Sequence, residues 1–107
     1  MNETDDELRA RLNAETGKIG WPELERHFAR GVLITVAGDL DLIEAALCMI
    51  RDDRDRLEAW MKTGRVGRTT AAEARAWAER GAVFWAVVTA PWVLVQETHD
   101  SPPTAAH

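Results

Sequence analysis

The feature that most limits the fold is an apolar run near the C-terminus, Val83 to Val95, which is interrupted by Pro91. As one straight strand, at about 3.3 Å per residue, the run would reach about 43 Å. That exceeds what a domain with a radius of gyration of about 13 Å can hold. As a helix it is shorter than the about 20 residues needed to cross a bilayer. Because proline cannot donate a hydrogen bond inside a sheet, the run predicts two strands, 83–89 and 92–96, joined at Pro91.

Patterning upstream of this run predicts helices interleaved with short strands. The predicted elements are helices over 5–16, 22–30, 41–62 and 71–80, a buried strand over 32–37 and a short edge strand over 65–68. Their order is α-α-β-α-β-α-β-β. The sequence therefore predicts an α+β fold, in which a small mixed or antiparallel sheet of three or four strands packs with three or four helices. Trp77 and Trp85 are predicted to lie in its core.

The chain of 107 residues has the size of one domain. We predict a single domain over residues 1–97, followed by a flexible tail over 98–107. The segment 1–16 is a polar helix with a thin apolar seam, Leu8 and Leu12, and could lie at the periphery. The N-terminus is acidic and shows no signal-peptide pattern, and the run Val83 to Val95 is too short to span a bilayer, so we predict a cytoplasmic protein with no membrane partner.

Charge gives little indication of a nucleic-acid partner. The net charge is −5, but residues 17–96 carry equal numbers of acids and bases. A nucleic-acid surface would depend on four arginines. Two of them alternate with Asp52, Asp53 and Asp55 along one predicted helix, and the other two follow that helix closely. Those arginines are Arg51, Arg54, Arg65 and Arg68. Nucleic-acid binding therefore stays a second alternative only.

The scarcity of serine, tyrosine and histidine outside the predicted tail argues against covalent catalysis. Tyrosine is absent, Ser101 is the only serine and lies in the predicted tail, and His27 is the only histidine outside that tail. A nucleophile with its base and orienting group is hard to assemble from these residues. We therefore assign no catalytic residue and no cofactor, and the sequence leans against an enzyme without deciding the question.

One group of carboxylates could be interpreted as a metal-binding site. Asp39, Asp41 and Glu44 follow the predicted buried strand, and Asp52 and Asp53 lie further along the next helix. Carboxylates suit Mg²⁺ or Ca²⁺, but acids near a helix start also serve as caps. The spacing matches no metal-binding loop, so no metal is predicted.

The segment Gly64–Thr70 leads into a helix N-terminus and could hold an anion. Its candidate contacts are Arg65, Gly67, Arg68, Thr69 and Thr70. Thr70 followed by Glu73 is also a capping-box pattern, which needs no ligand. Three tryptophans, Trp21, Trp60 and Trp92, could line an interface or the wall of a pocket.

Several blocks of the chain resemble one bacterial family. They are Leu12–Ile19, Trp21 with Leu24, Phe28–Gly31, Leu40–Glu44, Asp52–Asp53, Glu58–Trp60, Trp85–Val88 and Ala90–Gln96. Over residues 8–97 the chain resembles the family called domain of unknown function 2288. The resemblance implies a small bacterial cytoplasmic protein and supplies no activity.

Besides nucleic-acid binding, two functional hypotheses remain open. The last two strands are apolar on both sides, with Val93 and Val95 on one side and Trp92 and Leu94 on the other, so they need cover. This favours a non-enzymatic protein-interaction module, homodimeric or with an unknown protein partner. The alternative is a domain that binds a small molecule or an anion, or a metal-assisted enzyme, with Asp39, Asp41 and Glu44 facing the loop Gly64–Thr70 and Trp92 as a wall.

Overall fold

The computed structural model of the protein describes residues 4–98, which form five helices and five strands. In chain order these are α1 (Asp5–Glu15), β1 (Gly17–Gly20), α2 (Trp21–Ala29), β2 (Leu33–Val36), α3 (Leu42–Arg51), α4 (Arg54–Lys62), β3 (Val66–Arg68), α5 (Ala71–Arg80), β4 (Val83–Thr89) and β5 (Trp92–Glu97). Apart from Thr98, the predicted flexible tail over 98–107 lies outside the described residues.

The five strands form one mixed sheet with the order β1-β4-β5-β2-β3. Only the β2–β5 pair is parallel, and the other three pairs are antiparallel. The predicted C-terminal hairpin is confirmed, since β4 and β5 pair from Thr89 opposite Trp92 to Phe84 opposite Glu97. This hairpin supplies the centre of the sheet and so fixes the two surfaces described below.

Helices cover both faces of the sheet because alternate side chains of β4 and β5 point to opposite sides. On the first face, Val87 and Leu94 pack into a core with α1 and α3. On the second face, Phe84, Val93 and Val95 pack into a core with α2 and α5. The ring centroids of Trp77 and Phe84 lie 4.7 Å apart at an interplanar angle of 71°, the edge-to-face geometry that aromatic pairs favour.

The α+β class is confirmed, while the predicted number of elements was too small. The strand β1 was missed because Gly17 and Gly20 read as breaks in a helical pattern, yet Gly17–Gly20 pairs with Val83–Ala86 along the sheet edge. The observed order is α-β-α-β-α-α-β-α-β-β.

The long helix predicted over 41–62 is two helices, α3 and α4. Asp52 adopts the left-handed conformation at φ 57°, which ends α3. The Asp53 carboxylate then accepts a hydrogen bond from the Arg56 backbone N–H and caps the start of α4. Consecutive aspartates, which tolerate turn conformations well, explain the break.

The N-terminal helix is integrated into the core and is not peripheral. Leu8 and Leu12 are 2% and 0% exposed and pack in the same core as Leu47 and Val87. Thr4 and Glu7 form a capping box at its start. The narrow apolar seam seen in the sequence is therefore enough, because α3 and the sheet bury all of it.

The strand β5 is sheltered by its own chain, which corrects the reasoning that it needs an external cover. Val93, Leu94 and Val95 are all buried, with helices of the same chain on each side. The uncovered apolar residues lie elsewhere, and they include Trp85, which we had predicted to be in the core.

Candidate functional site

Of the three carboxylates predicted to face the loop Gly64–Thr70, Asp39 lies against that loop, whereas Asp41 and Glu44 have their partners on α3 and α1. Asp39 and Arg65 pair with each other, with 3.3 Å between the Asp39 carboxylate and the Arg65 guanidinium. Asp41 caps α3 by accepting hydrogen bonds from the backbone N–H groups of Ile43 and Glu44. Asp39 is therefore an ion-pair partner, and Asp41 is a helix cap whose hydrogen bonds to these N–H groups use one of its two carboxylate oxygens.

Glu44 pairs with Arg9 and so joins α3 to α1. The Arg9 Nε donates to a Glu44 carboxylate oxygen at 2.5 Å, and Arg56 Nη1 lies 4.0 Å from the other oxygen. The hydrogen bond from Arg9 lowers the pKa of Glu44 below its ordinary value of 4.5, against the opposing effect of burial. Glu44 is therefore a structural anion at neutral pH.

The residues of the predicted anion loop separate along β3 and the start of α5. Gly67 pairs with Thr35 in the sheet. The Thr69 hydroxyl lies 2.8 Å from that of Thr35. Thr70 forms the predicted capping box with Glu73, which is confirmed. Only Arg68 turns toward an aromatic surface, with its guanidinium 5.4 Å from the centre of the Trp92 ring.

Asp52 and Asp53 form the α3–α4 break, on different elements from Asp39 and Asp41. Within residues 4–98, no three His, Cys, Asp or Glu side chains lie close enough together to hold a metal ion. Three of the four arginines considered for nucleic acid pair with carboxylates, Arg51 with Asp5, Arg54 with Asp52 and Arg65 with Asp39.

The three predicted interface tryptophans have different environments. Trp21 is buried against Trp77 in the second core. Trp60 is half-buried beneath Arg56, whose guanidinium lies 4.9 Å from the ring centre. Trp92 is half-buried at one end of the sheet and lines two adjoining hollows. Of the three, Trp92 best fits the predicted pocket wall.

We call these two hollows the Trp92 groove. Met49, Leu57 and Trp92 line both hollows. The larger, about 580 Å³, also contacts Arg11 and Thr89, whereas the smaller, about 270 Å³, is lined mainly by apolar side chains together with Arg68. Small-molecule sites typically occupy about 300–1,000 Å³. The larger hollow falls within this range, and the smaller one lies just below it.

A second uncovered area lies on the first face of the sheet, toward the opposite end of β4. We call it the Trp85 face, defined by Val83, Trp85 and the adjacent hollow of about 430 Å³. Val83 and Trp85 are 39% and 40% exposed. The Lys18 ammonium lies 5.2 Å from the centre of the Trp85 ring, and Asp41 lines the hollow.

Sequence reasoning missed the Trp85 face and the hollow that Arg11 and Thr89 line. The alternation Val83, Trp85, Val87 does place these three side chains on one side of a strand. It does not show that α1 and α3 cover Val87 and leave Val83 and Trp85 open, because that depends on where the helices lie.

The fold and these surfaces define a small α+β protein whose mixed five-stranded sheet lies between helices, with two open surfaces centred on tryptophans. The chain belongs to the family described as Protein of unknown function (DUF2288), whose model matches residues 7–97. This confirms the resemblance noted from the sequence. No helix in residues 4–98 combines the length and the apolar composition needed to span a bilayer.

A solved structure similar to this chain is the NMR solution structure of PA1075 from Pseudomonas aeruginosa. It is 41% identical in sequence, with a TM-score of 0.78, over 94% of this chain and 93% of that one. No curated protein matches the chain.

Proposed function

We propose that the protein is a cytoplasmic, non-enzymatic interaction module that forms a homodimer through the Trp85 face. The proposal keeps the assembly role predicted from the sequence and moves its surface from β5 to β4. The observation that carries it is the exposure of Trp85, 40% of whose surface faces solvent beside an equally open Val83. Tryptophan is the residue type most often found at the energetic centre of protein interfaces.

The surroundings of Trp85 suit a copy of the same surface. A two-fold axis brings the same patch of both copies together, so the patch must complement itself. The exposed apolar part of the Trp85 face is Trp85 with Val83, while the hollow beside it is lined by the largely buried Leu42 and Ile43 and by polar side chains. Beside Trp85 lie one base, Lys18, and one acid, Asp41. Rotation about the axis can place Lys18 of each copy opposite Asp41 of the other, which favours association.

The chemistry of the described residues supports a binding role over a catalytic one. Cys48 is buried, and desolvation raises the pKa of its thiol, which leaves it a poor nucleophile. The carboxylates that were candidates for a site act as helix caps or ion-pair partners.

Sedimentation equilibrium of the whole chain and of Trp85→Ala tests the proposal. We expect the wild-type chain to approach twice its 12.0 kDa mass at micromolar concentration. Trp85→Ala should weaken the dimer by about tenfold or more, which corresponds to about 1.4 kcal/mol. Met61→Ala is the matched control, because Met61 is an even more exposed apolar side chain, on α4 and outside the Trp85 face.

A charge reversal at Lys18 tests the two-fold arrangement separately. Lys18→Glu places an acid opposite Asp41 and should weaken the dimer, whereas Lys18→Arg should retain it. A chain that stays monomeric at all concentrations contradicts the proposal, as does a dimer that Trp85→Ala leaves unchanged.

A further inference from the structure

We propose that the Trp92 groove is a binding site for a small amphipathic carboxylate. Its acyl chain would lie in the smaller hollow and its carboxylate would meet Arg11 and Thr89 in the larger one. This site lies on other residues than the Trp85 face and does not depend on dimer formation.

The apolar half of the groove is lined by side chains that the fold leaves incompletely packed. The helix α4 has no buried residue, although Leu57 and Met61 lie on the side that borders the groove. Met61 is 59% exposed, and Ile34 and Val66 of the sheet form the floor. Two methionines, Met49 and Met61, give the hollow a lining that adapts to an unbranched chain.

The polar half contains a buried hydroxyl with no partner. Thr89 is 9% exposed, and its hydroxyl has no hydrogen-bond partner among the described residues. Buried hydroxyls nearly always have a partner, so an unpaired one beside a hollow indicates a group that the hollow receives. A carboxylate oxygen is such an acceptor.

Arg11 supplies the charge at the same hollow. Its guanidinium lies 3.5 Å from the Glu15 carboxylate on the exposed surface of α1, a weak type of pair with which a bound carboxylate can compete. Asp52 also lines this hollow, but Arg54 lies 3.4 Å from its carboxylate and offsets its charge. The larger hollow thus offers a cation and a hydroxyl donor. The smaller one offers mainly apolar side chains, with Arg68 beside its Trp92 wall, so the groove suits a ligand with one anionic head and an apolar chain.

Trp92 lines both hollows and forms the wall along which the chain would lie. Arg68 stacks over its ring at 5.4 Å and makes no ion pair with any residue in the described range. We assign Arg68 a positioning role, in which it holds the indole at the junction of the two hollows.

Titration of the ¹⁵N-labelled chain with decanoate, and separately with decan-1-ol, tests the site by NMR. Decanoate should shift the indole N–H signal of Trp92, leave that of Trp21 in place, and bind about tenfold more tightly than decan-1-ol. Arg11→Gln and Thr89→Val should each reduce decanoate affinity toward that of decan-1-ol. Met61→Glu should weaken both ligands, and Arg75→Gln on α5 is the control that changes neither.

Three results would overturn the inference. They are equal affinity for decanoate and decan-1-ol, shifts confined to the Trp85 indole, and sedimentation that changes with Met61→Glu, which would mean that a second copy covers the groove. Trp85→Ala should leave decanoate binding intact, so failure of the dimer and failure of this site are distinguishable.

Discussion

At the scale of single residues, the ion pair of Arg9 with Glu44 makes a pH-dependent contribution to stability. The pKa of Glu44 is lower in the folded chain than its ordinary value, so the pair stabilises the fold above the unfolded pKa. That stabilisation is lost as the pH falls through the lower, folded pKa. Because both side chains are partly exposed, Glu44→Gln should cost about 1 kcal/mol or less at pH 7.

Urea unfolding of wild type and Glu44→Gln across the acid range measures this dependence. The difference between the two free energies of unfolding should be largest at pH 7. It should fall to zero once the pH is below the folded pKa of Glu44. Glu25→Gln, at an exposed position on α2, is the control. A difference that grows as the pH falls would contradict the assignment.

A second residue-level prediction concerns Thr89. Its buried hydroxyl lacks a partner, so Thr89→Val removes an unpaired polar group and should stabilise the chain by about 1 kcal/mol. Thr35→Val is the matched comparison, since it removes a hydroxyl that bonds to Thr69 at 2.8 Å and should destabilise by a similar amount. Denaturant midpoints measure both, and a destabilising Thr89→Val would show that the hydroxyl has a partner after all.

How far the sequence predicts single residues depends on whether the cause is local. The Thr70–Glu73 capping box, the burial of Trp77 and the burial of Cys48 follow from near neighbours and are confirmed. The pairing of Glu44 with Arg9 and the stacking of Arg68 on Trp92 join residues distant in the chain. Local pattern contains no information about them.

At the scale of elements, we expect α4 to be less stable than α3. It has no buried residue, whereas α3 buries six. Hydrogen exchange should therefore be faster for the amides of α4 than for those of α3. Leu47→Ala should cost about 2–5 kcal/mol and Leu57→Ala clearly less. Equal protection of the two helices would mean that the Trp92 groove is closed in solution.

The sequence predicts an element boundary where a proline or a glycine ends the element. It does not predict a boundary that an aspartate sets, or a strand that forms by pairing with a distant one. Pro91 separates β4 from β5, and Gly81, at φ 62°, ends α5 in the left-handed region. The break at Asp52 has no such marker. The strand β1 forms only because β4 offers it an edge, which is a tertiary effect.

At the scale of the whole molecule, the sequence predicts that a two-sided apolar hairpin needs cover on both faces, and the fold provides it. The cover comes from the same chain, through α1 and α3 on one side and α2 and α5 on the other. What stays open depends on the lengths and positions of these helices. This is why the Trp85 face and the Trp92 groove could not be located from the sequence.

The homodimer is the central claim, and isotope-filtered NOEs on an equal mixture of labelled and unlabelled chains test it most directly. These NOEs report only contacts between copies. We predict contacts from the Trp85 ring of one copy to protons of Val83 and Trp85 in the other, because these are the exposed apolar side chains of the Trp85 face. An absence of contacts between copies, or contacts that arise only at Trp92 and Met61, would contradict the claim.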